Sequence, residues 1–154
     1  MSSSSEICSP DTGESEGSPR RRVQRLFERS GLMRHLNARL GEVAKGRAHV
    51  HLPYGPELTQ HHGYFHGGAT AAIADSAGGY AALTVLPADQ SVLTVEFKIN
   101  LLAPAQGESL EAVGQVVRSG KTLSVVRVDV YALRSGEKTP IAVMQQTLMA
   151  VPDR

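Results

Sequence analysis

Residues 67–86 constrain the fold more than any other part of the chain. Their sequence, GGATAAIADSAGGYAALTVL, is apolar on nearly all sides and is built mainly from small residues. A helix that is hydrophobic all round is buried, and at 1.5 Å per residue this one would be roughly 27–30 Å long. Gly78 and Gly79 each cost about 1 kcal/mol relative to alanine inside a helix. We therefore expect close packing against a sheet or a partner chain to compensate.

Strands are predicted on both sides of this helix, because apolar residues alternate with polar ones there. The runs are residues 36–43, 47–52, 91–99, 110–117, 123–133 and 141–151. Turn signals separate most neighbouring runs and indicate hairpins. Hairpins imply an antiparallel sheet, and one face of it can be covered by the long helix. The sequence therefore predicts an α+β fold.

The first 20 residues differ in composition from the rest. They contain many turn formers and almost no core-forming residues, and such a segment cannot bury enough apolar surface to become ordered. We predict a disordered tail over residues 1–20 and a single domain over residues 21–154. A helix is predicted to start near Arg21 and to be stopped by Gly31. The basic run of residues 20–22 is interpreted as a solvated patch.

Composition argues against several classes of function. The formal net charge is +1, with 41% hydrophobic residues, so bulk electrostatics indicate neither a nucleic-acid binder nor a membrane binder. A single cysteine, Cys8, cannot form an intrachain disulfide, which fits a reducing compartment. No run of about 18 apolar residues predicts a membrane span, and the polar N-terminus does not resemble a secretory signal. We expect a cytoplasmic protein.

Asp75 is out of place in the apolar helix. Aspartate is a poor residue for a helix interior and is rarely buried unless it is paired. One interpretation is a functional carboxylate. The other is that Asp75 faces solvent, or caps a second helix after a break near Gly78.

Gly67 and Gly68 stand where a loop enters the helix. The first N–H groups of a helix lack partners within it and lie at the positive end of its dipole. Without a side chain in the way, they can bind an anion or polarise a carbonyl oxygen. Alternatively, the glycines only ease the turn into the helix.

The positions of Gly67 and Asp75 constrain each other. Eight residues of helix separate them by about 12 Å, so one small reacting group cannot touch both in the same chain. If both act on one carbonyl, they must come from two helices side by side in a dimer. The catalytic interpretation thus predicts a symmetric dimer with shared sites.

Other chemistries have weaker support. His61, His62 and His66 lie close together, but the familiar zinc sites use other spacings with cysteine or acidic partners, so no metal is expected. His66 could instead orient its loop through ring hydrogen bonds. Nucleophile-elbow, dinucleotide-binding and P-loop motifs are not found in the sequence.

Four runs together resemble one enzyme family. They are GYFHGG at 63–68, ADSAGG at 74–79, TVEFKINLLAPA at 94–105 and VVRSGKTL at 116–123. They are similar to the signature of hotdog-fold acyl-CoA thioesterases of the phenylacetate-degradation (PaaI-like) type. The resemblance extends over roughly residues 33–151. It implies a hotdog fold, in which an antiparallel sheet wraps around one long helix.

The resemblance also implies a set of catalytic residues. Gly67 would present its N–H to the thioester carbonyl, and Asp75 of the opposite subunit would act as general base or nucleophile. Thr94 would help to hold the attacking water. Gln60 would help to place the water or the thioester, although many relatives have asparagine there.

For substrate binding, the resemblance assigns Arg118, Gly120 and Lys121 to the CoA nucleotide, with a solvated turn as the alternative. Further candidates are His66, Gly68, Tyr64, Phe65 and Phe97. The implied substrate is an aryl-, phenylacetyl- or medium-chain acyl-CoA, hydrolysed without a cofactor. The implied assembly is a homodimer that pairs into a homotetramer.

Two alternatives keep the hotdog fold. One is a non-catalytic acyl-CoA binder, against which the complete set of Gln60, Gly67, Asp75 and Thr94 argues. The other is an enoyl-CoA hydratase. Those relatives carry a catalytic Asp and His a few residues apart, whereas here the nearest preceding histidine, His66, lies nine residues before Asp75.

Overall fold

A computed structural model describes residues 17–153 of the chain. The helices are α1 (Pro19–Arg29), α2 (Gly31–His35) and α3 (Gly67–Leu83), and a 3-10 turn occupies Pro56–Leu58. The strands are β1 (Arg39–Ala44), β2 (Arg47–Pro53), β3 (Gln90–Leu101), β4 (Ser109–Ser119), β5 (Leu123–Arg134) and β6 (Glu137–Pro152). Helix α2 was not predicted.

The strands form one antiparallel sheet in the order β1-β2-β4-β5-β6-β3. Strands β1 and β2 form the predicted hairpin, and β4, β5 and β6 follow one another as neighbours. Helix α3 carries the chain from β2 to the far edge of the sheet, where β3 pairs with β6. The predicted α+β class is therefore confirmed.

Helix α3 packs closely on one face of this sheet. A Cβ atom added to Gly114 of β4 would lie 2.5 Å from the carbonyl oxygen of Ala77, and one added to Gly78 would lie 3.2 Å from Val128. The sheet thus supplies the close packing that the helix glycines predicted. One side of α3, including Ala72 and Asp75, stays half-exposed, so a single chain does not bury the helix all round.

The long helix ends at Leu83, three residues before the predicted end. The hydroxyl of Thr84 donates to the Ala81 carbonyl at 2.6 Å and accepts from the Gly46 N–H at 2.7 Å. The guanidinium of Arg22 donates to the carbonyls of Leu83, Leu86, Pro87 and Gln90. A cation at a helix C-terminus is favourable. Arg22 therefore ties α1 to the end of α3, and the interpretation of residues 20–22 as a solvated patch is wrong for this side chain.

Helix α1 begins at Pro19, two residues before the predicted start. The side chain of Ser18 accepts from the Arg21 N–H, and proline is favourable in the first turn. Ser30 ends α1 and caps α2, so Gly31 opens a new helix rather than only stopping the first. The remainder of the predicted disordered tail, residues 1–16, lies outside the described residues.

A buried polar cluster lies on the sheet face away from α3. The Nδ1 atom of His49 is 2.9 Å from the Glu111 carboxylate, and the Nε2 atom of His51 is 3.8 Å from it. Lys138 forms an ion pair with the other carboxylate oxygen, and Arg47 donates to His49 at 3.0 Å. His49 is buried because these partners cover it.

Strand β3 lies at one edge of the sheet, and much of its surface is exposed. Leu93, Val95, Phe97 and Leu101 are each 46–59% accessible. A β-bulge between Thr94 and Glu96 shifts the pairing with β6. Among residues 17–153, no helix is long and apolar enough to cross a membrane.

Candidate active site

A pocket of about 510 Å³ opens at the N-terminus of α3. Gly67 and Thr70 of the helix form one wall, and Gln60 and Tyr64 of the preceding loop form another. The rest of the lining is mainly apolar and consists of Phe65, Leu101, Leu102, Ala103, Pro104, Ala105 and Ile141. An apolar concavity with a few polar groups is typical of a small-molecule site.

The first residue of α3, Gly67, lies at the wall of this pocket. The side chain of His66 caps the helix, with Nδ1 accepting from the Gly68 N–H at 2.8 Å. The His66 carbonyl accepts from the Thr70 N–H at 3.1 Å. Within the described chain, no hydrogen bond uses the N–H of Gly67. That N–H is therefore available to a carbonyl oxygen in the pocket.

Gln60 is held in a tight loop at the pocket wall. Its N–H donates to the Tyr64 carbonyl at 2.9 Å, and its carbonyl accepts from Gly63 at 2.9 Å. Gly63 has a φ of +81°, a conformation that favours glycine. The side-chain oxygen of Gln60 accepts from the His62 N–H. The loop thus fixes the position of the Gln60 amide beside Gly67.

Asp75 forms a second polar centre further along α3. Its Oδ1 atom accepts a hydrogen bond from the Thr94 hydroxyl at 2.7 Å and another from the Gln146 amide. Gln146 also donates to the Thr94 hydroxyl at 3.0 Å. The bulge beside Thr94 resets the alternation of β3, so that both Thr94 and Phe97 face α3 although they are three residues apart.

The two centres do not meet within one chain. Asp75 and Thr94 do not line the pocket at Gly67, and the helical rise between Gly67 and Asp75 is about 12 Å. The structure therefore brings Gln60 and Gly67 together and, separately, Asp75 and Thr94. We call these two groups of residues half-sites.

The remaining predicted residues lie in three places. Phe65 is buried and packs edge-on against Tyr54, with ring centroids 5.5 Å apart. Phe97 is paired with Gln146 and lies at the free edge of the α3 face. The residues assigned to the CoA nucleotide, Arg118, Gly120 and Lys121, are exposed around the turn between β4 and β5.

The histidines after Gln60 do not gather around an acid. His61 and His62 lie ring to ring at 4.0 Å and are exposed, while His66 is used as the helix cap. Candidate metal-ligand atoms do converge in the polar cluster on the other face, within 4.8 Å of one another. Those atoms already bind each other, and Arg47 and Lys138 add positive charge that opposes a cation.

Sequence reasoning missed Gln146. It occupies a core-facing position of β6 between Met144 and Leu148, and it is fully buried. A polar residue at an apolar position of an alternating strand is unusual unless it is hydrogen-bonded. That irregularity was visible in the sequence, but its partner, 71 residues away, was not.

The sequence profile of the thioesterase superfamily matches residues 62–138 of this chain. The chain belongs to the thioesterase superfamily. The match begins in the loop before Gly67 and continues through α3 and β3 to the start of β6, so it includes most of both half-sites. This member of the superfamily is a thioester hydrolase with the hotdog fold.

Three proteins of known name are similar to this chain in sequence or fold. A thioesterase family protein from Silicibacter pomeroyi is 41% identical, with a TM-score of 0.86 over 88% of this chain and 100% of that one. The 1,4-dihydroxy-2-naphthoyl-CoA hydrolase of Listeria monocytogenes is 28% identical over 65% of this chain and 81% of its own length. The E. coli PaaI protein from the phenylacetic acid degradation operon shares the fold, with 18% identity and a TM-score of 0.76 over 86% and 93% of the chains.

Proposed function

We propose that this thioesterase hydrolyses the CoA thioester of an aryl, phenylacetyl or medium-chain acyl group to the free acid and CoA. The observation that carries the proposal is the pair of half-sites on α3. One offers an unpaired N–H beside an apolar pocket, and the other offers a carboxylate held by Thr94. These are the donor and the base that acyl transfer to water requires.

The complete site is proposed to form between two chains. Strand β3 is a twelve-residue edge strand with exposed apolar side chains, and such an edge is a template for pairing with another chain. Leu101 lies beside Gly67 in the pocket, and Thr94 bonds to Asp75. Antiparallel pairing of two β3 strands centred near Phe97 and Lys98 would set Thr94 opposite Leu101 of the partner subunit. That register would bring Asp75 of one subunit to Gly67 of the other.

In this site the thioester carbonyl oxygen accepts from the Gly67 N–H. As water attacks the carbonyl carbon, this oxygen gains negative charge, and one fixed donor is worth about 2.7–4 kcal/mol to the transition state. In the general-base route, Asp75 takes the proton of the water. In the nucleophilic route, its carboxylate attacks the carbon and water later releases the acid. In both routes the C–S bond breaks and the sulfur leaves as the CoA thiol, with no cofactor.

Other residues are proposed to place the reactants. Gln60, beside Gly67, would help to position the thioester or the water, and Thr94 would hold the water near Asp75. Arg118 and Lys121 are exposed cations beside a turn at Gly120, and such groups suit the phosphates of CoA. The pocket lining is apolar, which suits an aryl or medium-chain acyl group.

Two dimers are proposed to pair into a tetramer through the outer face of the sheet. Within one chain, the pairing of β3, β6 and β5 sets Leu93 beside Met149 and Met149 beside Leu123. All three side chains are exposed. A continuous apolar patch of this kind is a common feature of a protein interface.

The test is release of free thiol from benzoyl-, phenylacetyl-, hexanoyl- and palmitoyl-CoA, with Asp75→Asn and Asp89→Asn alongside the parent enzyme. We expect Asp75→Asn to lose about a hundredfold or more in turnover without unfolding, because it removes the base. Asp89 is an exposed residue outside both half-sites, so its variant is the control. Near-normal turnover in Asp75→Asn would refute the proposed site. Thiol release from none of the four would favour the non-catalytic acyl-CoA binder.

A further inference from the structure

Gln146 is a buried amide where an apolar side chain would be expected. It lies in the middle of β6, facing α3, with no accessible surface. Its neighbours on the same face of the strand, Met144 and Leu148, belong to the hydrophobic core. Burying an amide costs free energy unless its polar atoms are hydrogen-bonded, so the partners of this amide determine what it contributes.

Three oxygen atoms surround the amide nitrogen of Gln146. They are the carbonyl oxygen of Asp75 at 3.1 Å, the Oδ1 atom of Asp75, and the hydroxyl oxygen of Thr94 at 3.0 Å. A backbone carbonyl and a carboxylate only accept hydrogen bonds, so the NH₂ end of the amide must face them. The orientation of the side chain is fixed by this chemistry.

The opposite end of the amide has no hydrogen bond. The Oε1 atom of Gln146 is buried without a partner and faces Gly78, where an added Cβ atom would collide with it. An unsatisfied buried oxygen costs about 1–3 kcal/mol. An apolar residue would avoid this cost, so the contacts of the amide nitrogen are what distinguishes glutamine at this position.

We infer that Gln146 is a positioning residue that sets the orientation of the Asp75 carboxylate. Gln146 and Thr94 both donate to Oδ1. No hydrogen bond reaches Oδ2 from residues 17–153, so Oδ2 is left for the reaction. The bond to the Asp75 carbonyl also fixes the backbone of α3 at the same residue. This inference rests on the proposed role of Asp75.

Gly78 belongs to the same arrangement. Any side chain at this position would occupy the space of the Gln146 amide. The glycine, one turn after Asp75, thus allows a strand residue to reach the carboxylate from beneath the helix.

The experiment compares Gln146→Met with Gln115→Met and Asp75→Asn. Methionine is close to glutamine in size and suits an apolar site, and Gln115 is an exposed glutamine on β4 that serves as the matched control. The measurements are kcat, KM, the pH profile of kcat/KM, and Tm. For Gln146→Met we expect kcat to fall about tenfold or more while KM changes less than about threefold. We also expect the acidic limb of the profile to move to higher pH, because the ionised carboxylate has lost a donor. Tm should stay the same or rise, since no buried oxygen is left unsatisfied.

A second variant, Gln146→Glu, keeps the shape of the side chain but places a carboxyl group against Asp75. Two adjacent carboxyl groups resist double ionisation, so the acidic limb should move further to higher pH than in Gln146→Met. Unchanged kcat and an unchanged profile in both variants would overturn the inference. A fall in kcat that is matched by a fall in Tm would also overturn it, because that would be a structural role.

The two hypotheses fail in different ways. If Asp75→Asn keeps its turnover, the proposed function fails together with this inference. If Asp75→Asn is inactive while Gln146→Met behaves like the parent enzyme, only the positioning role of Gln146 is refuted.

Discussion

At the scale of single residues, His66 contributes to the site through the helix rather than through the pocket. Its ring caps α3 by accepting from the Gly68 N–H, while the preceding N–H, that of Gly67, has no hydrogen-bond partner among residues 17–153. Histidine is an uncommon N-cap, because Ser, Thr, Asp and Asn are preferred there. The sequence raised the possibility that this histidine orients the loop, and the structure gives that role a specific hydrogen bond.

We predict that His66→Ala lowers the free energy of unfolding by about 0.5–2 kcal/mol, because a helix N-cap is lost. His66→Asn should retain most of the stability, since asparagine is a strong N-cap. Urea unfolding of the three proteins measures the difference. Equal stability of the alanine variant and the parent protein would show that the ring does not cap the helix in solution.

The motif residues could be predicted from the sequence, but their supporting contacts could not. Asp75 is recognisable because it is a charged residue inside an apolar helix. Gly67 is recognisable because it stands where a loop enters that helix. Gln146 is likewise a polar residue at a core-facing position of its strand, yet its role depends on a contact with Asp75 on α3, 71 residues earlier in the chain. Local patterns do not contain such distant pairings.

At the scale of secondary structure elements, β3 is an edge strand of the sheet that residues 17–153 form. Within those residues it pairs with β6 on one side only, and its exposed apolar side chains would be a liability for aggregation in a monomer. The predicted strand covered residues 91–99 and did not reveal which strand would lie at the edge. Strand order follows from the crossover along α3, which pattern reading does not determine.

We predict that Phe97→Lys dissociates the proposed dimer, because it adds a positive charge on each subunit close to the two-fold axis, where like charges across the paired strands repel. Leu32→Lys, an equivalent change at an exposed leucine of α2, is the control and should remain dimeric. Sedimentation velocity gives the mass of each variant, and thiol release should fall with dissociation. If either variant were monomeric and fully active, the shared site would be refuted.

Boundaries were the weakest part of the predicted elements. The sequence predicted α1 two residues late and α3 three residues too long, and β6 starts at Glu137 rather than at residue 141. The differences at the helix ends arise from caps and side-chain contacts. Ser18 and Ser30 start the first two helices, and Arg22 with Thr84 ends the third.

At the scale of the whole molecule, the buried cluster on the outer face links stability to pH. Burial lowers the pKa of His51 below its ordinary value of 6.5, with His49 and Lys138 acting in the same direction and Glu111 opposing them. Burial alone would raise the pKa of Glu111, but hydrogen bonds from Lys138 and His49 outweigh it and lower the pKa below 4.5. In both cases the unfolded chain binds protons more readily than the native one, so acid destabilises the fold.

We predict that the free energy of unfolding declines as the pH falls below about 6.5, where His51 contributes, and again below about 4.5, where Glu111 contributes. Glu111→Gln should lose the second decline and be less stable at pH 7 by about 1–3 kcal/mol. Urea titrations between about pH 3 and 8 test this, with the exposed Glu137→Gln as the control. The same acid dependence in Glu111→Gln as in the parent would contradict the assignment.

The 12 Å of helix between Gly67 and Asp75 makes intersubunit complementation possible. In the proposed dimer, a subunit with Asp75→Asn and a subunit with Gly67→Val would together contain one site with both defects and one with neither. Each variant alone would be inactive, but subunit exchange would restore activity, up to about a quarter of the parent level in an equal mixture if subunits assort at random. The two substitutions would thus behave as if they lay in separate genes, although they lie on one helix.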